Sequence, residues 1–197
     1  MTEEKKSVEE MMTPEERELF ERWKKKIGQV FIPQSDQEAM EDEMVIYFWG
    51  LGKEAHWASI KRWAIVNEDY NALWFDEEYA KKSRWGGIIA PPLYLICVND
   101  GLQWPEKFAD EVYGPGMVPR RDKYPNYSHT FQAESEWEFY EPVRPGDTIN
   151  AEAKLADIYW KQGNEYRMLF VEGETTFTNQ KGQPIGRNRS SAVYLFK

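Results

Sequence analysis

The side chains best placed in sequence to form a reaction centre lie between Asn67 and Asp76, where Asn67, Glu68, Asp69, Asn71 and Asp76 are close together. A carboxylate such as Asp69 can take or give a proton when its surroundings bring its pKa toward neutrality, and a carboxamide such as Asn71 can hold a polar ligand atom. Both residue types also form Asx turns, so a purely local role stands beside the chemical one for each. Trp74 reads either as a space-filler or as the wall of a pocket. The chain's two histidines, His56 and His129, lie outside this stretch and would have to fold back to reach Asp69. Cys97 sits in the apolar run Leu93–Val98 and reads as a buried structural thiol. Asp76-Glu77-Glu78 reads as a solvated helix N-terminus favoured by the helix dipole. With no cluster of Cys or His at zinc-ligand spacing, no metal is expected.

These residues need a scaffold, and the flanking sequence describes one. Trp57, Ile60, Trp63 and Ala64 recur at helical spacing within Lys53–Val66, so a helix delivers the chain into the polar turn. Gly86-Gly87 makes a tight backbone turn, after which Ile88-Ile89-Ala90-Pro91-Pro92 opens an apolar segment. Proline is tolerated in a first helical turn, so Leu93–Leu102 is expected to be a helix buried on nearly all sides.

Upstream, residues 1–12 read as a frayed charged tail. Thr13-Pro14-Glu15-Glu16 then starts a helix with Leu19, Phe20, Trp23 and Ile27 on one face and Gly28 as its stop. Val30–Pro33 reads as extended, residues 34–52 have no clear pattern, and Met44–Trp49 fits strand or helix. Residues 103–128 are a long irregular segment containing Gly114-Pro115-Gly116 and Arg120-Arg121. Strands follow: His129–Tyr140, with Phe131, Trp137 and Phe139 sharing a parity, then Thr148–Lys161, Tyr166–Asn179 and about Ile185–Phe196. The turns are Pro142–Asp147, Gly163-Asn164 and Gln180–Gln183. This order implies an α+β domain, an antiparallel meander curled around a central buried helix, with residues 1–52 as an N-terminal tail and helical extension and 53–197 as the domain proper.

At 197 residues the chain is long enough for a substantial core, and its net charge of −9 argues against a nucleic-acid partner. The lone cysteine suits a reducing cytoplasm. No apolar run reaches the ~18 residues of a membrane span, so a soluble cytoplasmic protein is expected.

Asn67–Ala80, NEDYNALWFDEEYA, resembles the hydratase signature G-D-x-N-P-L-H-x-D of the MaoC-like acyl-CoA hydratases and dehydratases, which have the hot-dog fold. Asp69, Asn71, Leu73 and Asp76 match the motif, Ile89-Ala90-Pro91-Pro92-Leu93 aligns with the family's I-A-H-G-M helix start, and Phe139–Asp147 resembles its F-x-x-P-V-x-x-G-D turn. The resemblance covers roughly residues 54–196. It implies addition of water to a 2-enoyl thioester or the reverse, with Asp69 and Asn71 in catalytic positions. It also implies an acyl surface from Trp74, Trp85, Gly87, Ile89, Ala90 and Pro92.

Two positions depart from the family: Trp74 replaces the histidine, and Pro92, which has no N–H, replaces the glycine whose amide forms the oxyanion hole. Coenzyme A is expected only as part of the substrate, with Lys82, Arg84, Arg187 and Arg189 as phosphate-binding candidates. Surface solubility is the plainer reading of each cation. The family pairs its sheets, so a homodimer or a heterodimer with a second, His-bearing hot-dog subunit is implied. A non-catalytic acyl-CoA-binding or scaffold protein is the alternative.

Overall fold

The computed structural model describes residues 7–25, 27–28, 54–97, 113–114, 118–119 and 124–197. The expectations for Val30–Pro33, Met44–Trp49, Val98–Leu102 and Arg120-Arg121 lie outside these residues.

Part of the expected frayed tail is ordered. Val8–Met11 forms α1, started by a capping box between Ser7 and Glu10. Pro14–Lys24 forms α2, with Thr13 accepting the Glu16 N–H and Glu16 accepting that of Thr13, so two donors at the helix start are satisfied reciprocally. Leu19, Phe20 and Trp23 are buried as their spacing predicts, whereas Ile27 lies beyond the helix and is exposed.

The second helical layer comprises α3 (Trp57–Val66), α4 (Ala72–Phe75) and α5 (Glu77–Lys82). The chain then enters a 3-10 helix, Pro92–Cys97, in place of the α-helix expected there. Three residues per turn aligns positions three apart, which puts Leu93 and Ile96 together on an exposed edge while Tyr94 and Leu95 face the core. Burial within this chain is therefore one-sided, against the expectation of burial on nearly all sides.

Tyr113–Gly114 (β1) and Val118–Pro119 (β2) form a two-residue ladder within the segment expected to be irregular. Four long antiparallel strands follow: β3 (Tyr127–Phe139), β4 (Ile149–Gln162), β5 (Arg167–Asn179) and β6 (Pro184–Phe196). Their order is β3-β6-β5-β4, so the arrangement is not a simple meander. The link from β3 to β4 crosses one end of the β5–β6 hairpin. It is held there by Tyr140 N–H to the Ile185 carbonyl, Ala90 N–H to that of Val143 and Ala55 N–H to that of Asp147, each at 2.8 Å.

The sheet has four register shifts, two of which fall in mid-strand and change which residues share a face. One lies between Gln132 and Glu134, the other between Leu155 and Asp157. Phe131 therefore pairs with Val193 on the outer face, while Trp137 and Phe139 pair with Asn188 and Gly186 on the inner face. The shared parity in sequence does not survive the inserted residue.

Two apolar clusters line the inner face. At one end Leu19, Phe20 and Trp23 of α2 pack on Ile158, Leu169 and Phe196. At the other, Ala55, Ile60, Ala90, Tyr94 and Leu95 pack on Ile149, Phe177 and Ile185. The first cluster surrounds a buried ion pair, Glu16–Arg167 at 2.6 Å, joining α2 to β5.

Candidate functional site

The helix α3 ends at Val66, and Asn67 and Glu68 reverse the chain, Glu68 adopting φ 55° in the left-handed region. Asp69 enters the next segment with its N–H on the Ala64 carbonyl at 2.9 Å. Its Oδ1 accepts the N–H of Asn71 at 3.3 Å, and Asn71 Oδ1 in turn accepts the N–H of Leu73 at 3.0 Å, capping α4. Both motif side chains thus make the Asx-type contacts that their residue types favour, and Asp76 caps α5 through the Tyr79 N–H.

Behind this turn lies a compact apolar cluster. Trp74 is 6% exposed and packs with Ala64 and Ile89, with Leu73, Phe75 and Trp85 partly buried around them. The indole Nε1–H of Trp74 is buried and has no hydrogen-bond acceptor among the described residues. A buried donor left in that state costs about 1–3 kcal/mol. Of the other expected acyl-surface residues, Ala90 is buried in the separate cluster with Tyr94 and Leu95, Gly87 is half-buried and Pro92 is exposed.

The histidines lie elsewhere. His56 is the N-cap of α3 and faces Glu54, its Nε2 3.1 Å from the carboxylate. Asp69 follows the other end of that ten-residue helix, about 15 Å away at 1.5 Å per residue. His129 stands on the outer face of β3, its Nδ1 2.9 Å from Ser128 Oγ and its ring against Phe131 and Tyr166. Neither supplies a base beside Asp69.

The four candidate phosphate cations divide into two groups. Lys82 and Arg84 are exposed, Arg84 lying over the Trp85 ring at 4.3 Å. Arg187 and Arg189 point from the opposite, outer face of β6 and are engaged by Glu138, Glu174 and Glu172. That β6 alternates in this way is shown by Gly186, where an added Cβ would meet Leu95 Cδ1 at 2.9 Å.

A family model described as the FAS1-like dehydratase domain region matches residues 53–187. The chain belongs to this FAS1-like dehydratase family. A UPF0336 protein from Saccharopolyspora erythraea is 24% identical over 134 residues, covering 68% of this chain and 76% of the relative. Among solved structures, a monoamine oxidase regulatory protein from Archaeoglobus fulgidus is similar with a TM-score of 0.53 and 22% identity, over 80% of this chain and 94% of that one. The ChsH1–ChsH2 complex from Mycobacterium tuberculosis is similar with a TM-score of 0.53 and 16% identity, over 71% of this chain and 78% of that one. These likenesses identify the α+β architecture of this dehydratase-family chain as the hot-dog fold.

Several features of this family member have no clear sequence signature. The Glu16–Arg167 pair joins residues 151 apart. Asn188, 3% exposed, donates to Ser135 Oγ and the Glu136 carbonyl, both at 3.0 Å, fastening β3 to β6. Tyr94 and Ser59 hydroxyls meet at 2.6 Å, Ser59 donating onward to the His56 carbonyl, and burial raises the Tyr94 phenol above its usual range. Cys97, expected to be buried, is half-buried, and desolvation raises its thiol above the usual range. Among the described residues no trio of His, Cys, Asp and Glu could hold a metal ion, and no helix is long and apolar enough to cross a membrane.

Proposed function

We propose that this chain is the acyl-thioester-binding subunit of a 2-enoyl-thioester hydratase/dehydratase whose proton-transfer groups come from a second, His-bearing hot-dog subunit. The observation that carries this reading is the state of the motif itself. The signature turn is intact, yet the base position holds a buried indole that can only donate, and the oxyanion position holds a proline with no N–H. Asp69 and Asn71 are engaged with the backbone of their own turn. Hydration needs a proton acceptor beside the attacking water and a donor where the enolate oxygen develops. This chain offers the wall of such a site rather than both of those groups.

Trp74, Trp85, Gly87, Ile89, Ala90 and Pro92 would contact the acyl chain and thioester, and Lys82 and Arg84 would face the phosphates of a coenzyme A substrate in a cytoplasmic setting. The similarity to ChsH1–ChsH2, a complex of two differently named chains, supports an unequal pair. So does the exposure of Leu93, Ile96, Phe139 and Tyr140 around the 3-10 helix and the neighbouring end of β3.

The test assays crotonyl-CoA hydration with the purified chain alone, then with hot-dog proteins encoded beside its gene. Activity only in the mixture is expected. Activity of the chain alone that disappears in Asp69→Asn would instead establish a self-sufficient enzyme. Failure to bind crotonyl-CoA in either preparation would leave a scaffold protein.

A further inference from the structure

We infer that the free edge of β3 selects a partner strand of defined chemistry, alternating basic and apolar side chains, and rejects a second copy of this chain. The inference rests on the hetero-subunit reading above and adds what the partner must look like. β3 is an edge strand of the four-stranded sheet, and nearly all of its residues from His129 to Phe139 are exposed. Among the described residues β3 pairs with β6 alone, and an edge of this length is a template for another strand.

After the bulge at Gln132/Glu134, the two faces of this edge differ sharply. Glu134, Glu136 and Glu138 project from the outer face, opposite Ser191, Arg189 and Arg187 of β6. Ser135, Trp137 and Phe139 project from the inner face, where Trp137 stacks on Phe139 and Phe177 at centroid distances of 5.8 and 5.7 Å. The inner apolar residues favour any apolar partner. Glu134 and Glu136 are discriminating, because Arg189 beside them is already engaged by Glu172, whereas Glu138 is paired with Arg187, which also meets Glu174. Glu134 and Glu136 make no ion pair among the described residues and line a cleft of about 240 Å³ with Glu172, Arg189, Ser190 and Ser191.

Two copies of β3 meeting antiparallel over residues 134–138 would set this acidic stripe against itself. Residue pairs directly across such a ladder lie about 4.5–5.5 Å apart, where like charges oppose pairing and opposite charges favour it. A strand with Lys or Arg at the outer positions and apolar residues at the inner ones matches both faces.

The experiment needs only this protein. Wild-type chain, Glu134→Lys/Glu136→Lys, and a control Glu15→Lys/Glu18→Lys with the same charge change on α2 are each compared by sedimentation equilibrium, alone and mixed, at low and high salt. Circular dichroism and melting curves confirm that all three fold. The mixture of wild type with Glu134→Lys/Glu136→Lys is expected to dimerise at about tenfold lower concentration than wild type alone at low salt, and to lose that advantage at high salt. The control mixture is expected to show no such gain.

Tight wild-type dimers at low salt, or equal tightening in both mixtures, would overturn the inference. Crotonyl-CoA binding by the wild-type chain, measured separately, reports on the functional reading. Loss of acyl binding with intact charge selectivity would therefore sink only that reading, and the reverse only this one.

Discussion

Replacing Glu16 with alanine leaves the Arg167 guanidinium buried without its carboxylate. Glu16 and Arg167 are 2% and 5% exposed, and two bonds join them, at 2.6 and 3.1 Å. The same glutamate closes the α2 capping box by accepting the Thr13 N–H at 3.0 Å. Removing one member of a buried pair costs about 3–5 kcal/mol, chiefly because the other charge stays desolvated. Arg167 keeps the Lys197 carbonyl at 3.2 Å and the face of Trp160 at 5.6 Å, which places the expected loss near the lower end, about 3 kcal/mol. For a chain of this size that corresponds to about 6–12 °C in Tm. Urea unfolding of Glu16→Ala measures the loss, and amide exchange in α2 shows whether the helix undocks before the sheet unfolds. Glu16→Met combined with Arg167→Met is expected to recover much of the stability, since an apolar pair removes both desolvated charges. A loss below about 1 kcal/mol, the range of exposed ion pairs, would refute the reasoning and mean that α2 does not seal this end of the sheet.

Two further outcomes follow from the sheet. Gly186→Ala would bring a Cβ to 2.9 Å from both the Glu138 carbonyl oxygen and Leu95 Cδ1, and the backbone oxygen cannot rotate away. A cost of about 1–3 kcal/mol is expected by urea titration, with β3 loosened in amide exchange. Hydrogen bonds from Lys154 first, and then Arg187, hold the Glu174 carboxyl below its ordinary value of 4.5. A group whose folded pKa is lowered stabilises fully above its unfolded value, and that contribution is lost as pH falls through the folded one. Glu174→Gln should therefore be less stable than wild type at pH 7, and the gap should close as urea midpoints are followed down into the acid range below 4.5. A gap independent of pH would contradict this assignment.

Local chemistry was readable where neighbouring residues in sequence also act as neighbours in space. The Thr13–Glu16 capping box is written in four consecutive residues, and the turn at Asp69–Asn71 is set by side chains that bond to backbone two positions on. The strand segments and hairpin turns likewise follow from short-range alternation and turn residues. The motif order points to the hot-dog fold, and Trp74 and Pro92 are plain in the motif's adjacent residues. What each replacement does to the site was not visible, because an unpartnered indole N–H is defined by every residue packed around it.

Tertiary structure decided the rest. Alternation in sequence assumes an unbroken pleat, and a single inserted residue in β3 moved Phe131 to the face opposite Trp137 and Phe139. The same bulge gathered Glu134, Glu136 and Glu138 into one outward stripe. Strand order placed β3 beside β6 instead of β4, through a long ladder between segments far apart in sequence. The sequence determined the family and the motif turn, because each is written in adjacent residues. Only the packed chain decided which faces remain open to a partner, because burial and strand register depend on residues far apart in sequence.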